Sequence, residues 1–415
     1  MRSLRVWARV LKVEQVVVES VVFGESADEV VLWVRPSAGA AGRCGVCEQR
    51  CPGFDRGRGR RRWRSLDAGS TKVYLEADAP RVRCARHGVV VASVPWARHG
   101  AGHTYAFDDQ AAWLVRYASR STVSTLLRVA WRTAGAIVAR VMADLDAAAG
   151  DRLAVVRRIG IDEVSYKRGH KYLTVVVDHD SRRVLWIGAG RGKAVLAEFF
   201  TLLGPQRCAR IALVSADAGE WIFQAMIEHC PNAKLCLDPF HVVAWATEAL
   251  DDIRRQVWND ARRSGQKALA TGLKGARYAL WKNPEDLTGN QQAKLSWIVA
   301  TNRPLYRAYL LKEQLRQVFA AGGEERTELL DEWLTWATHS RLQPFVELAR
   351  KIRAYFRDEI VNTLTYRLSN GLIESTNTKI RLLTRIAYGF HDVNALIAIV
   401  KLHLGGYQIN LPGRT

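Results

Sequence analysis

Apolar and polar positions alternate through KVEQVVVESVVF and EVVLWVRP, on either side of a polar GESAD segment, so residues 12–35 are expected to form a β-hairpin. From 104 to 149 the period changes. FDDQAAWLVRYA, STVSTLLRVA and TAGAIVARVMADL carry apolar residues at helical spacing, with Ser119, Ser121 and Thr133 as candidate N-caps. Three short helices with tight joins make a helix-turn-helix pattern.

Strand periodicity returns at Val155. VVRRIGID, HKYLTVVVD and RRVLWIGA read as an antiparallel meander, followed by a helix at 193–204 and a strand RIALVSAD ending on Asp217. A helix at 219–229 leads to AKLCLD, which ends on Asp238; residues 240–365 read as helical throughout. The final helix is expected to begin near Ser369 and to run through GLIESTNTKIRLLTRIA. The order βββαβαβ then helix, with a helical block before the last helix, is that of a ribonuclease-H-like fold. The expected fold class is therefore multidomain α+β. A zinc-binding β module would occupy residues 1–100 and a helix-turn-helix 101–150. A ribonuclease-H-like α/β catalytic core of 151–245 and 366–415 would be interrupted by an all-helical insertion at 246–365.

Charge adds a partner. Lys and Arg number 61 against 41 Asp and Glu, a net charge of +20 over 415 residues. Such a balance favours a polyanion, with nucleic acid ahead of an anionic membrane surface. No apolar run approaches the roughly 18 residues of a membrane span, and charges break the N-terminal MRSLRVWARVLKVEQ too early for a signal peptide. Seven unevenly clustered cysteines do not suggest a secreted disulfide framework. The expectation is a cytoplasmic protein with no membrane partner.

Two close pairs, Cys44-x-x-Cys47 and Cys84-x-x-His87, flank a β-patterned loop. That spacing lets four ligands converge tetrahedrally on one structural zinc, with Cys51 as a possible substitute. The alternative is reduced cysteines packed in a small core. Inside the loop lies DRGRGRRRWR, with Arg56, Arg58, Arg60, Arg61, Arg62 and Arg64. A charge run is usually only solvated surface, but here mobile glycines and Arg forks suit phosphate contacts beside a helix-turn-helix that carries Arg132.

The third constellation is acidic. In a ribonuclease-H-like sheet the strands ending on Asp162 and Asp217 are neighbours, so the two carboxylates converge. Glu374, in the first turn of the last helix, would pack across the same edge. Three such acids repel unless cations neutralise them, and two magnesium (or manganese) ions about 4 Å apart would do so. Glu163 alternates to the opposite face, Asp178 and Asp180 fall at a hairpin turn, and Asp238 is the strongest competitor. Glu374, Asn377, Thr378, Arg381 and Arg385 lie on or near one helical face that suits a strand of DNA.

GIDEVSYKRGHKYLTVVVD, VSAD, NAKLCLDPFHVV and NGLIESTNTKIRLLTRIAYGF, with CGVC…CARHGV and the helices after it, resemble the DDE transposases of the ISL-three family of bacterial insertion sequences. The resemblance covers nearly the whole chain in order. It implies a DDE triad of Asp162, Asp217 and Glu374, with supporting roles for Asp238 and His241 in Asp-x-x-His. It departs from the family at Ala218, where a larger residue is expected. It further implies binding to terminal inverted repeats in double-stranded DNA, cleavage, joining to target DNA, and a homodimer or larger assembly at synapsis. Two rivals remain open at this point: a ribonuclease-H-like nuclease that cuts without joining, and a transposase-derived DNA-binding regulator.

Overall fold

The alternation at residues 16–36 forms the expected antiparallel hairpin, β1 (Val16–Phe23) and β2 (Glu29–Pro36). A helix absent from the sequence expectation, α1 (Arg2–Leu11), precedes it. The computed structural model describes residues 2–24, 28–322, 325–387, 389–390 and 392–414, so residues 25–27 of the GESAD turn lie outside the described residues. Five strands follow: β3 (Gly53–Asp55), β4 (Arg60–Arg64), β5 (Lys72–Asp78), β6 (Arg81–Cys84) and β7 (Gly88–Val91). They complete a sheet ordered β1-β2-β5-β4 and a smaller one ordered β3-β6-β7. Leu32, Leu75, Trp63 and Trp96 fill the first sheet's core, and the two indoles meet edge to face at 5.5 Å.

The helical spacing of 104–149 becomes α2 (Tyr105–Tyr117), α3 (Arg120–Leu127) and α4 (Trp131–Ala148). Ser119 caps α3 by accepting the Thr122 N–H. Ser121 instead lies inside α3, and Thr133 inside α4, whose N-cap position is Ala130.

A second compact unit spans Asp151–Leu382. Its sheet is built from β8 (Arg158–Lys167), β9 (Lys171–Asp178), β10 (Arg183–Ala189), β11 (Leu213–Ala216) and β12 (Lys234–Leu237), ordered β10-β9-β8-β11-β12. The first three form the expected meander, while β11 runs parallel to both β8 and β12. Helices α5 (Lys193–Leu203), α6 (Pro205–Cys208) and α7 (Glu220–His229) connect them, and Phe199, Phe200, Ile222 and Met226 bury against Ile159, Ile161 and Val214.

One expectation is corrected here. Asp162 does not end its strand, because β8 continues to Lys167 on pairing with β9. What ends is the ladder to β11, whose last pair is Ala216 with Ile161.

After β12 the chain is helical: α8 (Pro239–Arg263), α9 (Lys267–Gly272), α10 (Arg277–Leu280), α11 (Gly289–Thr301), α12 (Arg303–Ala320), α13 (Arg326–His339), α14 (Gln343–Tyr355) and α15 (Arg357–Tyr366). These share one apolar core around Leu250, Leu311, Trp333 and Phe345. The helix α16 (Gly371–Ile386) carries Glu374, but it is not the last. A further helix, α17 (Val393–Leu404), packs Ala398, Ile399 and Leu402 with Ile137, Val138 and Val141 of α4. Its apolar face therefore groups it with residues 1–150 in the first unit, not with the sheet to which the sequence pattern assigned all of 366–415. Among the described residues no helix is long and apolar enough to cross a membrane.

Candidate active site and metal centres

The Cys/His pairs converge. The bridge of Cys44 to Ala92, and the end of β6 at Cys84, bring the two pairs to one place. Cys44 Sγ and Cys84 Sγ each lie 3.6 Å from His87 Nδ1, and Cys47 Sγ lies 3.7 Å from Cys84 Sγ. A tetrahedral zinc with ordinary bond lengths requires edges of about 3.6 Å for sulfur to nitrogen and about 3.8 Å for sulfur to sulfur. The donor set fits that ion in kind and in spacing. Cys51 is outside the tight group of four and turns its thiol to the Gln49 carbonyl. The backbone N–H groups of Arg86 and His87 pull the Cys84 thiol down to about 6, which favours the thiolate that a metal requires.

The arginine run divides into two groups. Gly57 and Gly59 have φ of +69° and +89°, and a Cβ on Gly57 would stand 2.2 Å from the Ala79 carbonyl oxygen. The glycines thus make a tight turn into β4 rather than a mobile loop. On β4, Arg62 pairs with Glu29 and Glu76, Arg60 stacks on Trp33, and Arg61 donates to the Ala101 carbonyl at 2.8 Å. Arg64 is buried and paired with Asp67, so the expectation that it touches DNA gives way to a packing role. Arg56 and Arg58 stand exposed in the turn, with no hydrogen bond or ion pair among the described residues. Arg132 is exposed in the first turn of α4 and lines a groove with Arg120, Trp131 and Phe390.

The acidic residues gather at the end of the β8–β11 ladder. Because Ala216 pairs with Ile161 in parallel register, Asp217 and Asp162 emerge side by side where β11 stops. Asp162 Oδ2 accepts the Asn377 amide at 2.6 Å, and its Oδ1 accepts the Glu163 N–H at 2.7 Å. Asp217 Oδ1 accepts the Asn370 amide at 2.9 Å. His241, in the first turn of α8, lies 3.1 Å from Asp217 through Nε2 and 3.1 Å from Asp238 through Nδ1. The donor atoms of Asp217, Asp238 and His241 fall within 4.8 Å of one another. Asp162 and Glu374 are not in that tightest group.

Glu374 is exposed in the first turn of α16, and its carboxylate has no hydrogen bond or ion pair among the described residues. Asp238 is 3% exposed and committed to His241 and the Asn370 N–H. The competitor's carboxylate is thus engaged at both oxygens, and that of Glu374 is not, among the described residues. Asn377 is buried at 2% exposure and faces Asp162, not the outer face shared by Thr378, Arg381 and Arg385. Glu163 turns away toward Arg191 at 3.8 Å, and Asp178 accepts the N–H groups of Asp180 and Ser181 within its turn.

Burial, then the Asp217 charge, push Asp162 up to about 7. Burial also raises Asp217, and it raises Glu374 together with Asp238 and Asp217. His241 is raised by Asp238 and then by Asp217 and Asp162. Asp162, Asp217 and Glu374 thus resist ionisation together, and two buried amide oxygens at the cluster's edge, on Asn370 and Asn377, have no hydrogen-bond partner among the described residues. Oxygen donors with an excess of negative charge are what a hard divalent cation takes. Asn370 had gone unnoticed in the sequence; its only signal was a position directly before the helix that bears Glu374.

Comparison with known proteins follows the same division. A family profile described as a transposase matches residues 159–400. The helix-turn-helix domain of transposase family ISL3 matches 92–142, and the zinc-finger of transposase IS204/IS1001/IS1096/IS1165 matches 40–87. The transposase for insertion sequence element IS1557 of Mycobacterium tuberculosis is 54% identical, over 100% of this chain and 98% of its own, in strains CDC 1551 and H37Rv alike. The transposase for insertion sequence element IS1001 of Bordetella parapertussis is 29% identical over 57% of this chain and 58% of its own.

Proposed function

The chain belongs to transposase family ISL3, and we propose that it cuts and joins DNA with a DDE site of Asp162, Asp217 and Glu374. The observation that carries this reading is the register of β8 on β11, which sets two carboxylates side by side beneath a helix bearing the third. The core of residues 151–245 is ribonuclease-H-like, completed by α16, with 246–365 as its helical insertion.

Asp162, Asp217 and Glu374 would hold two magnesium or manganese ions, which supply charge neutralisation, an activated nucleophile and stabilisation of the leaving oxygen. The protein's own residues prepare that site. Asn377 on α16 and Asn370 just before it fix the carboxylates of Asp162 and Asp217. His241, whose charged form Asp238 and Asp217 favour, lies between the two carboxylates and holds their orientation. Arg381 and Arg385, about two and three turns beyond Glu374, offer exposed forks to the phosphates of a strand crossing the helix.

Water first attacks phosphorus at the transposon end, and the bond to the 3′ oxygen breaks. That 3′-hydroxyl then attacks a phosphorus of target DNA, releasing a second oxygen. The zinc module of residues 1–100, with zinc on Cys44, Cys47, Cys84 and His87, and the helix-turn-helix of 101–150 bind the terminal inverted repeats. Arg56, Arg58 and Arg132 contact phosphates in that complex. Bringing two ends together requires at least a dimer, and the work takes place on the bacterial nucleoid in the cytoplasm.

Incubating the protein with labelled element ends, a plasmid and magnesium tests this. Joined product is expected. Cut ends alone would mean a nuclease, and binding alone a regulator.

A further inference from the structure

We propose that Asn370 is a positioning residue that preorganises the acidic cluster for a divalent cation, an inference that rests on the two-metal reading above. Asn370 is 1% exposed and immediately precedes α16. It uses three separate groups on three acidic residues. Its side-chain amide donates to Asp217 Oδ1 at 2.9 Å, its backbone N–H donates to Asp238 Oδ1 at 3.2 Å, and its carbonyl accepts the Glu374 N–H at 2.9 Å. The three acids come from the end of β11, the residue before α8 and the first turn of α16, so no local stretch of chain would hold them in register. His241 closes the arrangement by engaging the other oxygen of Asp217 and of Asp238. Each of these two carboxylates is therefore fixed at both oxygens.

The orientation of the amide carries a second argument. Only its nitrogen can face an ionised Asp217, because the amide oxygen would repel it. That choice leaves Asn370 Oδ1 buried without a partner among the described residues. Buried polar atoms are almost always satisfied, and an exception calls for a role. A residue retained merely to begin a helix has no need of this arrangement. A residue that must donate to a ligating carboxylate does.

Hydrogen bonds to ligating groups orient them, and their removal weakens metal binding roughly 10–100-fold. The test measures Mn2+ affinity of the full-length protein without DNA, by calorimetry, for wild type, Asn370→Ala, Asn370→Ser and Asp217→Asn. Serine is the second variant because it is a favourable residue at a helix start while being too short to replace the amide. Both Asn370 variants are expected to bind Mn2+ roughly 10–100-fold more weakly and to remain folded without metal. Saturating Mn2+ should restore their maximal DNA cleavage rate, which a general packing defect would not allow.

Wild-type affinity in either Asn370 variant, with Asp217→Asn weakened, overturns the proposal and leaves the two-metal reading standing. Wild-type affinity in Asp217→Asn overturns that reading itself. If both Asn370 variants unfold without metal, Asn370 is a folding residue and the proposal falls.

Discussion

Asn377 donates its side-chain amide to Asp162 across 2.6 Å, joining residues 215 positions apart in the chain. The bond fastens α16 to the centre of the sheet, with both partners largely shielded from water. Asn377→Leu keeps the volume and removes the donor, leaving a carboxylate oxygen without its partner. Stability should fall by about 1–3 kcal/mol, read as a lower urea midpoint with an unchanged slope. An unchanged midpoint would mean that the contact adds nothing to folding.

His179 supplies a pH dependence away from the acidic cluster. Its Nε2 lies 2.8 Å from the buried Ser215 hydroxyl. Burial, then the Arg158 charge, lower it to about 4, against the opposing pull of Asp178 and Asp180. Below its ordinary value near 6.5 the unfolded chain takes up a proton that the folded chain refuses. The stability from this group is therefore complete above about pH 6.5 and is lost as pH falls toward 4. His179→Gln keeps a partner for Ser215 without titrating, so its melting temperature should fall less across that window. A parallel fall in both proteins would contradict the assignment.

The zinc cluster predicts one zinc ion per chain by elemental analysis. Cys84→Ser should lose the ion and unfold the N-terminal β module, since structural zinc supplies folding free energy directly. Cys51→Ser should keep it, because Cys51 faces the Gln49 carbonyl instead. Zinc retained in Cys84→Ser and lost in Cys51→Ser would reassign the ligand.

The divided arginine run predicts two phenotypes. Arg56→Ala with Arg58→Ala should leave the melting temperature unchanged. The slope of log affinity for transposon ends against log salt should flatten by about 2, at roughly 0.9 per phosphate contact. Arg64→Ala should instead lower the melting temperature, because it removes a buried guanidinium that packs on Tyr74 and Phe107 and leaves Asp67 with Arg128 alone. A slope unaltered by the first pair would make the turn plain solvated surface.

Much of the fold was legible because its strands and helices announce themselves by period. The meander β8–β9–β10 and the three helices α2–α4 lie where the apolar spacing put them. The extent of β8 beyond Asp162 was not legible, since the segment after it is polar and is held only by pairing with β9. Nor was the destination of α17: an amphipathic helix declares that it has a buried face, not which element covers it. At the acidic site, the pairing of Asp162 with Asp217 followed from the expected strand order, although Asp162 does not end β8. Asn370 did not follow, because its contacts with Asp217 and Asp238 depend on chain segments more than 130 positions away. The arginine run misled in part because Arg62 and Arg64 share one face of β4, and only what packs around each position leaves Arg62 exposed and Arg64 buried.

The choice of third carboxylate is the sharpest test. Asp162→Asn, Asp217→Asn, Glu374→Gln, Asp238→Asn and Asp178→Asn should be compared in one assay of end cleavage and strand transfer with magnesium, alongside end binding. The first three should bind ends normally and lose both reactions, because one pair of ions serves both steps. Asp238→Asn should be slowed but active, and Asp178→Asn should match wild type. Full strand transfer by Glu374→Gln together with none by Asp238→Asn would contradict the account and make Asp238 the third acid.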